Sequence, residues 1–239
     1  MKLDLIAALN HDLLTRTEVD PLMEGTIESF ELAFRMQMEA PRVLDLSGES
    51  PATVALYGVA EKEMDEFGRR CLMARRLAEA GVRFIQVSQG GWDHHQQIRA
   101  KLPDVCRSVD RPLRGLLVDL QARGLLDETL VVFTGEFGRS PYDQDLSQGT
   151  AAYETFGRGH NAVGFSAWLA GEGVKGDFIH GATDEFGYRS VAGKVHVHDL
   201  HATILHVLGL DHQRLTYCHA GRDFRLIDVH GTVVHEELS

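Results

Sequence analysis

Two short apolar runs, VRFIQVS at 82–88 and TLVVFT at 129–134, bracket a helical stretch, and each runs directly into a glycine-flanked polar loop. Short runs rich in Val, Ile and Phe read as buried strands. The first releases GGWDHH (90–95) and the second GEFGRSP (135–141). Between them the pattern predicts a helix over 111–123, with Pro112 in its first turn, an apolar stripe of Leu113, Leu116, Leu117 and Leu120, and Gly124 at its end. Strand–helix–strand crossovers make their two strands parallel and are right-handed in about 98% of cases. Both loops are therefore expected at one edge of an α/β sheet, beyond the carboxyl ends of the strands, where such sheets bind ligands.

The flanking sequence fits one domain spanning 1–239. Residues 1–58 read as helical and irregular, broken by Gly48, Ser50, Pro51 and Gly58. A helix is expected over about 61–80, with Met64, Phe67, Cys71, Ala74, Leu77 and Ala78 at helical spacing and Gly81 capping it. Further strands are expected at 163–170 and 191–197. Asp199 is placed to cap a helix, LHATILHVL, that ends at Gly209. No repeat and no long Pro- or Ser-rich linker divides the chain.

Composition narrows the function classes. A net charge of −11 argues against non-specific nucleic-acid binding, which needs clustered Lys and Arg. No apolar run approaches the roughly 18–20 residues of a membrane span. The N-terminus MKLDLIAALNHDLLTR lacks an apolar core followed by a small-residue cleavage site, so no export signal is read there, and the location stays open. Cys71, Cys106 and Cys218 are odd in number and far apart, which suggests neither a disulfide framework nor a thiolate metal site.

The chemistry concentrates in the strand-end loops. Asp93 and His95 from GGWDHH, Glu136 from GEFGRSP and His160 from GRGHN (157–161) form a candidate divalent-metal cluster. Carboxylate with neutral imidazole suits zinc, manganese or iron, whereas calcium and magnesium favour all-oxygen cages. Zinc is the favoured ion, with manganese as the alternative. His94 and His95 point in different directions, so one of them is expected on the ion. The competing reading is a solvated polar loop over a packed Trp92. Arg139 leaves the same turn as Glu136 and is the candidate catalytic residue, offering a planar fork to a tetrahedral oxyanion. Its alternative role is an internal Glu–Arg ion pair, and Arg158 has the same choice. His196 and His198 alternate with Val195 and Val197 and would share a strand face turned to solvent.

The succession FGRRCLMARRLAEAGVRFIQV, GGWDHH, GLLDETLVVFTGEFGRSP, GRGHN, WLAGEGVKG, GATDEFGY, VHDLHATILHVLGLDH and GRDFRL resembles a bacterial family of sulfatase-like proteins known as domain of unknown function 1501. The likeness runs from about residue 42 to near the end. It implies the alkaline-phosphatase-like superfamily: a three-layer α/β fold, a mostly parallel central sheet and metal at its carboxyl edge. The WDxH pattern falls on Trp92, Asp93 and His95, the strand-end acid on Glu136 and the later histidine on His160. Phe137 stands where that acid is often followed by histidine, which sets this chain apart at a second metal.

The same resemblance implies that the chain corresponds to the C-terminal part of the family, with the N-terminal part of the fold missing. Neither a C/S-x-P-x-R sulfatase motif nor a GGPS-like opening motif occurs. The expected function is the metal-binding part of a sulfatase-like or phosphatase-like hydrolase, acting on small-molecule or glycan sulfate or phosphate esters. The alternative is a non-catalytic metal- or oxyanion-binding domain.

Overall fold

The computed structural model describes residues 5–6, 8–10, 12, 21–144, 152–228 and 230–239. They belong to two compact units, Met1–Glu49 and Ser50–Ser239. In the first unit the described chain is chiefly helix α1 (Pro21–Leu44), which Arg42 and Glu39 brace near its end with an ion pair at 2.8 Å. Part of the irregular and helical stretch expected over 1–58 lies outside the described residues.

The second unit is built on three helices: α2 (Pro51–Leu56), α3 (Asp65–Glu79) and α4 (Ile98–Ala122). Ser50 caps α2 by accepting from the Thr53 N–H at 3.1 Å, and Pro51 takes the first turn, where a missing N–H costs nothing. Helix α3 buries Phe67, Cys71 and Ala74 as its spacing predicts, together with Leu72 and, unexpectedly, Arg75. Gly81 ends it with φ +81°, and the Val82 N–H reaches back to the Leu77 carbonyl at 3.0 Å. Helix α4 presents Val109, Leu116 and Leu120 to the core and stops at Gly124, where the Leu125 N–H bonds the Leu120 carbonyl at 2.9 Å.

A polar network lies inside this helical core. The Tyr57 hydroxyl, fully buried, donates to Asp119 Oδ2 at 3.0 Å, and the same oxygen lies 3.0 Å from Arg75 Nε. Arg123 donates to Asp119 Oδ1 at 2.7 Å, while Glu79 draws in Arg75 at 2.6 Å and Arg123 at 3.0 Å. One carboxylate thus links the ends of α2, α3 and α4. Burial, then the Asp119 charge, pushes the Tyr57 phenol well above its ordinary range, and burial pushes the Cys71 thiol up to about 12. Cys71 is therefore an inert core residue.

The strands depart from the expected parallel sheet. Strand β1 (Leu130–Phe133) pairs antiparallel with β4 (Trp168–Gly171), and β2 (Gly138–Gln144) pairs antiparallel with β3 (Gly157–Asn161). Two further antiparallel pairs follow, β5 (Ala182–Thr183) with β6 (Ser190–Ala192) and β7 (Thr216–His219) with β8 (Arg222–Arg225). The 82–88 run forms no ladder among the described residues, and Phe84 is 83% exposed. Among the described residues the strand–helix–strand crossover is therefore not formed and every strand pair is antiparallel. None of residues 82–88 is buried, so apolar content here fixed neither burial nor a pairing partner.

Four boundaries also move. Helix α4 begins at Ile98, so Pro112 lies mid-helix, where the cost of about 3 kcal/mol for a helical proline is offset by its complete burial. The 163–170 strand starts only at Trp168, and the one expected over 191–197 is reduced to Ser190–Ala192. Helix α5 (Val197–Val207) starts earlier than expected: His196 is its cap, and Asp199 sits three residues in, accepting from the His196 N–H at 2.9 Å. His196 and His198 therefore do not share a strand face. No described helix is long and apolar enough to cross a membrane.

Candidate functional site

The β2–β3 ribbon brings the polar loops together. Its register sets Arg139 opposite His160, so GEFGRSP and GRGHN are two strands of one ladder and not two separate strand-end loops. The GGWDHH loop docks on the same ribbon. The Arg158 N–H bonds the His94 carbonyl at 2.9 Å, the Gln97 N–H bonds the Thr155 carbonyl at 2.9 Å, and Gln96 bridges to Phe156. Gly157 permits this approach, because a Cβ there would collide with the carbonyls of His94 and His95.

Three ligand-type atoms converge as a result. His95 Nε2 lies 3.0 Å from Asp93 Oδ1, His160 Nε2 lies 3.2 Å from the same oxygen, and the two imidazole nitrogens are 3.0 Å apart. Asp93, His95 and His160 form the one described cluster of ligand-type side chains close enough to share an ion. With all three atoms within 3.2 Å of one another, one ion at the roughly 2.0–2.1 Å that zinc keeps from imidazole nitrogen and carboxylate oxygen would be within reach of each. The outer side remains open, since Asp93 and His160 are exposed at 61% and 50% of their side-chain surface. The donor set and its spacing fit a divalent ion with free coordination positions.

Each imidazole is oriented from behind. His95 Nδ1 lies 2.7 Å from Gln144 Oε1, so this ring nitrogen carries the proton and Nε2 is left as the acceptor facing the cluster. The His160 ring packs on Phe137, with centroids 4.4 Å apart. Phe137 thus serves as a wall for the His160 ring. Gln144 carried no signal in the sequence, because only the ladder brings the end of β2 back beneath His95.

Arg139 completes the site. Its Nη1 donates to Asp93 Oδ1 at 2.5 Å and its Nη2 lies 3.6 Å from Glu136 Oε1. Glu136 is not brought into the three-residue cluster and stands behind the guanidinium. The Arg139 hydrogen bond first, and the one from His160 second, hold the Asp93 carboxyl below its ordinary range. His94 points inward, is 6% exposed, and has its pKa lowered chiefly by burial. Arg158 is occupied internally, by Asp143 at 3.2 Å and by the Pro141 carbonyl.

The fold is mixed α/β, with a surface cluster of one carboxylate and two histidines set beside an arginine. The family described as Protein of unknown function (DUF1501) matches residues 1–238, and the chain belongs to that family. No curated protein and no solved structure matches it.

Proposed function

We propose that Asp93, His95 and His160 hold a divalent ion, zinc or manganese, and that the chain is the metal-binding part of a hydrolase acting on sulfate or phosphate esters. The convergence of three ligand atoms within 3.2 Å of one another carries this reading. A bound ion of this kind lowers the pKa of water and offsets charge on a tetrahedral oxyanion. The chain's own residues would bind and orient. Asp93 supplies the anionic ligand, Gln144 fixes the His95 tautomer, and Arg139 presents a planar cation beside the cluster, suited to two oxygens of a sulfuryl or phosphoryl group. Membership of the alkaline-phosphatase-like superfamily belongs to the same proposal and is supported by the order of the sequence motifs.

A second reading, a metal- or oxyanion-binding domain without turnover, is favoured by one observation. Among the described residues, no hydroxyl or thiol contacts the cluster: Ser140 is committed to the Tyr142 carbonyl at 3.0 Å and the Gly159 N–H at 3.0 Å, and Cys71 is buried. Elemental analysis of wild type and Asp93→Ala, followed by assay on aryl sulfates and aryl phosphates, tests both readings. Stoichiometric metal is expected in the wild type and not in the variant, with turnover well below enzyme-like rates. Equal metal content in the two proteins removes the site. Robust turnover lost in Asp93→Ala removes the second reading.

A further inference from the structure

Arg139 Nη1 occupies the same carboxylate oxygen that the metal site requires. Asp93 Oδ1 lies 2.5 Å from Arg139 Nη1, 3.0 Å from His95 Nε2 and 3.2 Å from His160 Nε2, so the guanidinium and the prospective ion share one anionic ligand atom. An ion and a guanidinium drawn to one oxygen repel each other. The guanidinium also has somewhere else to go. Nη2 is already 3.6 Å from Glu136 Oε1, and its central carbon is 5.6 Å from the Phe137 ring centroid, within the range of a cation–π contact. Glu136 is 63% exposed at its side chain, which leaves room for the shift.

Resting on the metal reading above, we propose that Arg139 is a built-in competitor for the ion and that its displacement couples the ion to an oxyanion. In the ion-free state Arg139 neutralises Asp93. Binding of the ion takes over Asp93 Oδ1 and releases the guanidinium toward Glu136 and Phe137. A sulfate or phosphate group then meets an arginine that no longer spends its charge on Asp93. By linkage the effect is reciprocal: the ion raises affinity for the oxyanion, and the oxyanion raises affinity for the ion by the same factor. Glu136 thereby acquires a role as the alternative seat of Arg139, which explains why an acid lies in this turn yet outside the ligand triangle.

The alternative geometry moves Arg139 to the other Asp93 oxygen, where it would support the ligand. The two arrangements differ in sign. The test uses Mn2+ alone, followed by the electron paramagnetic resonance of the free ion, on wild type, Arg139→Gln, Arg139→Lys and Asp93→Ala. Competition predicts that Arg139→Gln binds Mn2+ about tenfold more tightly than wild type, within the range usual for coupled sites. Arg139→Lys, which keeps the competing charge and guards against a loop disturbed by loss of the cation, is expected near wild type. Sulfate titrated by calorimetry should bind wild type at least about fivefold more tightly with Mn2+ than without, and Arg139→Gln should lose most of that gain. Weaker or unchanged Mn2+ binding in Arg139→Gln overturns the proposal, as does a lysine variant that tightens binding like glutamine. Stoichiometric Mn2+ in wild type but not in Asp93→Ala keeps the underlying metal reading in place whatever Arg139 does. No stoichiometric Mn2+ in wild type overturns both.

Discussion

Arg139 and His160 stand opposite each other on the β2–β3 ladder, and both side chains reach Asp93 Oδ1, at 2.5 Å and 3.2 Å. A guanidinium and an imidazole are thereby held by backbone pairing against one carboxylate from a distant loop. Rigid placement of this kind is what a binding constellation needs.

The orientation of His95 depends on Gln144. Replacing Gln144 by Ala frees the His95 Nδ1 proton and lets the ring rotate or change tautomer, and losses of such supporting contacts typically weaken metal binding by roughly 10- to 100-fold. Competition with a chromogenic chelator provides the measurement. Gln144→Glu, which preserves the acceptor, should retain affinity.

Metal should be released by acid in the range where imidazole protonates, before Asp93 is titrated. Neutral His95 and His160 are required as ligands, and protonated imidazole cannot coordinate. Asp93 is held below the ordinary carboxylate range by Arg139 and then His160, so it stays ionised through that window. Its depressed folded-state pKa means that any stability it lends is present above the unfolded carboxylate value and is lost only as pH falls through the lower folded value. Metal content followed against pH, beside an unfolding curve, should show two separate transitions. Coincident transitions would count against the histidine ligands.

Asp119→Ala should be the most damaging of these substitutions to stability. It takes one of two carboxylates from Arg75, whose side chain is 1% exposed and keeps only Glu79 at 2.6 Å of that pair, and removes the acceptor of the buried Tyr57 hydroxyl. Removing one partner of a buried ion pair costs about 3–5 kcal/mol. Urea unfolding monitored by circular dichroism should show a loss of unfolding free energy of that size, with metal stoichiometry unchanged in the protein that remains folded.

The helical core was largely legible in the sequence. The spacing of Phe67, Cys71 and Ala74, the Leu116 and Leu120 pair, and the terminators Gly81 and Gly124 are local signals, and local hydrogen bonding and side-chain periodicity suffice to read them. The ligand types at Asp93, His95 and His160 were legible for a similar reason: acids and imidazoles on glycine-flanked loops have little reason to be there for packing. Strand partnership was different. The 82–88 and 129–134 runs carry the same apolar character, yet Leu130–Phe133 pairs with Trp168–Gly171 and the earlier run forms no ladder among the described residues. An apolar strand records how much surface it must bury, while its neighbour and direction depend on contacts between residues far apart in the chain. Glu136 divides the same way at the site: its contact with Arg139 is a local one within the turn, while its place outside the Asp93–His95–His160 cluster was set by the tertiary arrangement. Gln144 and the shared oxygen of Asp93 were decided only by the ladder, because residues brought together across 46 to 67 positions of chain leave no periodic trace in sequence.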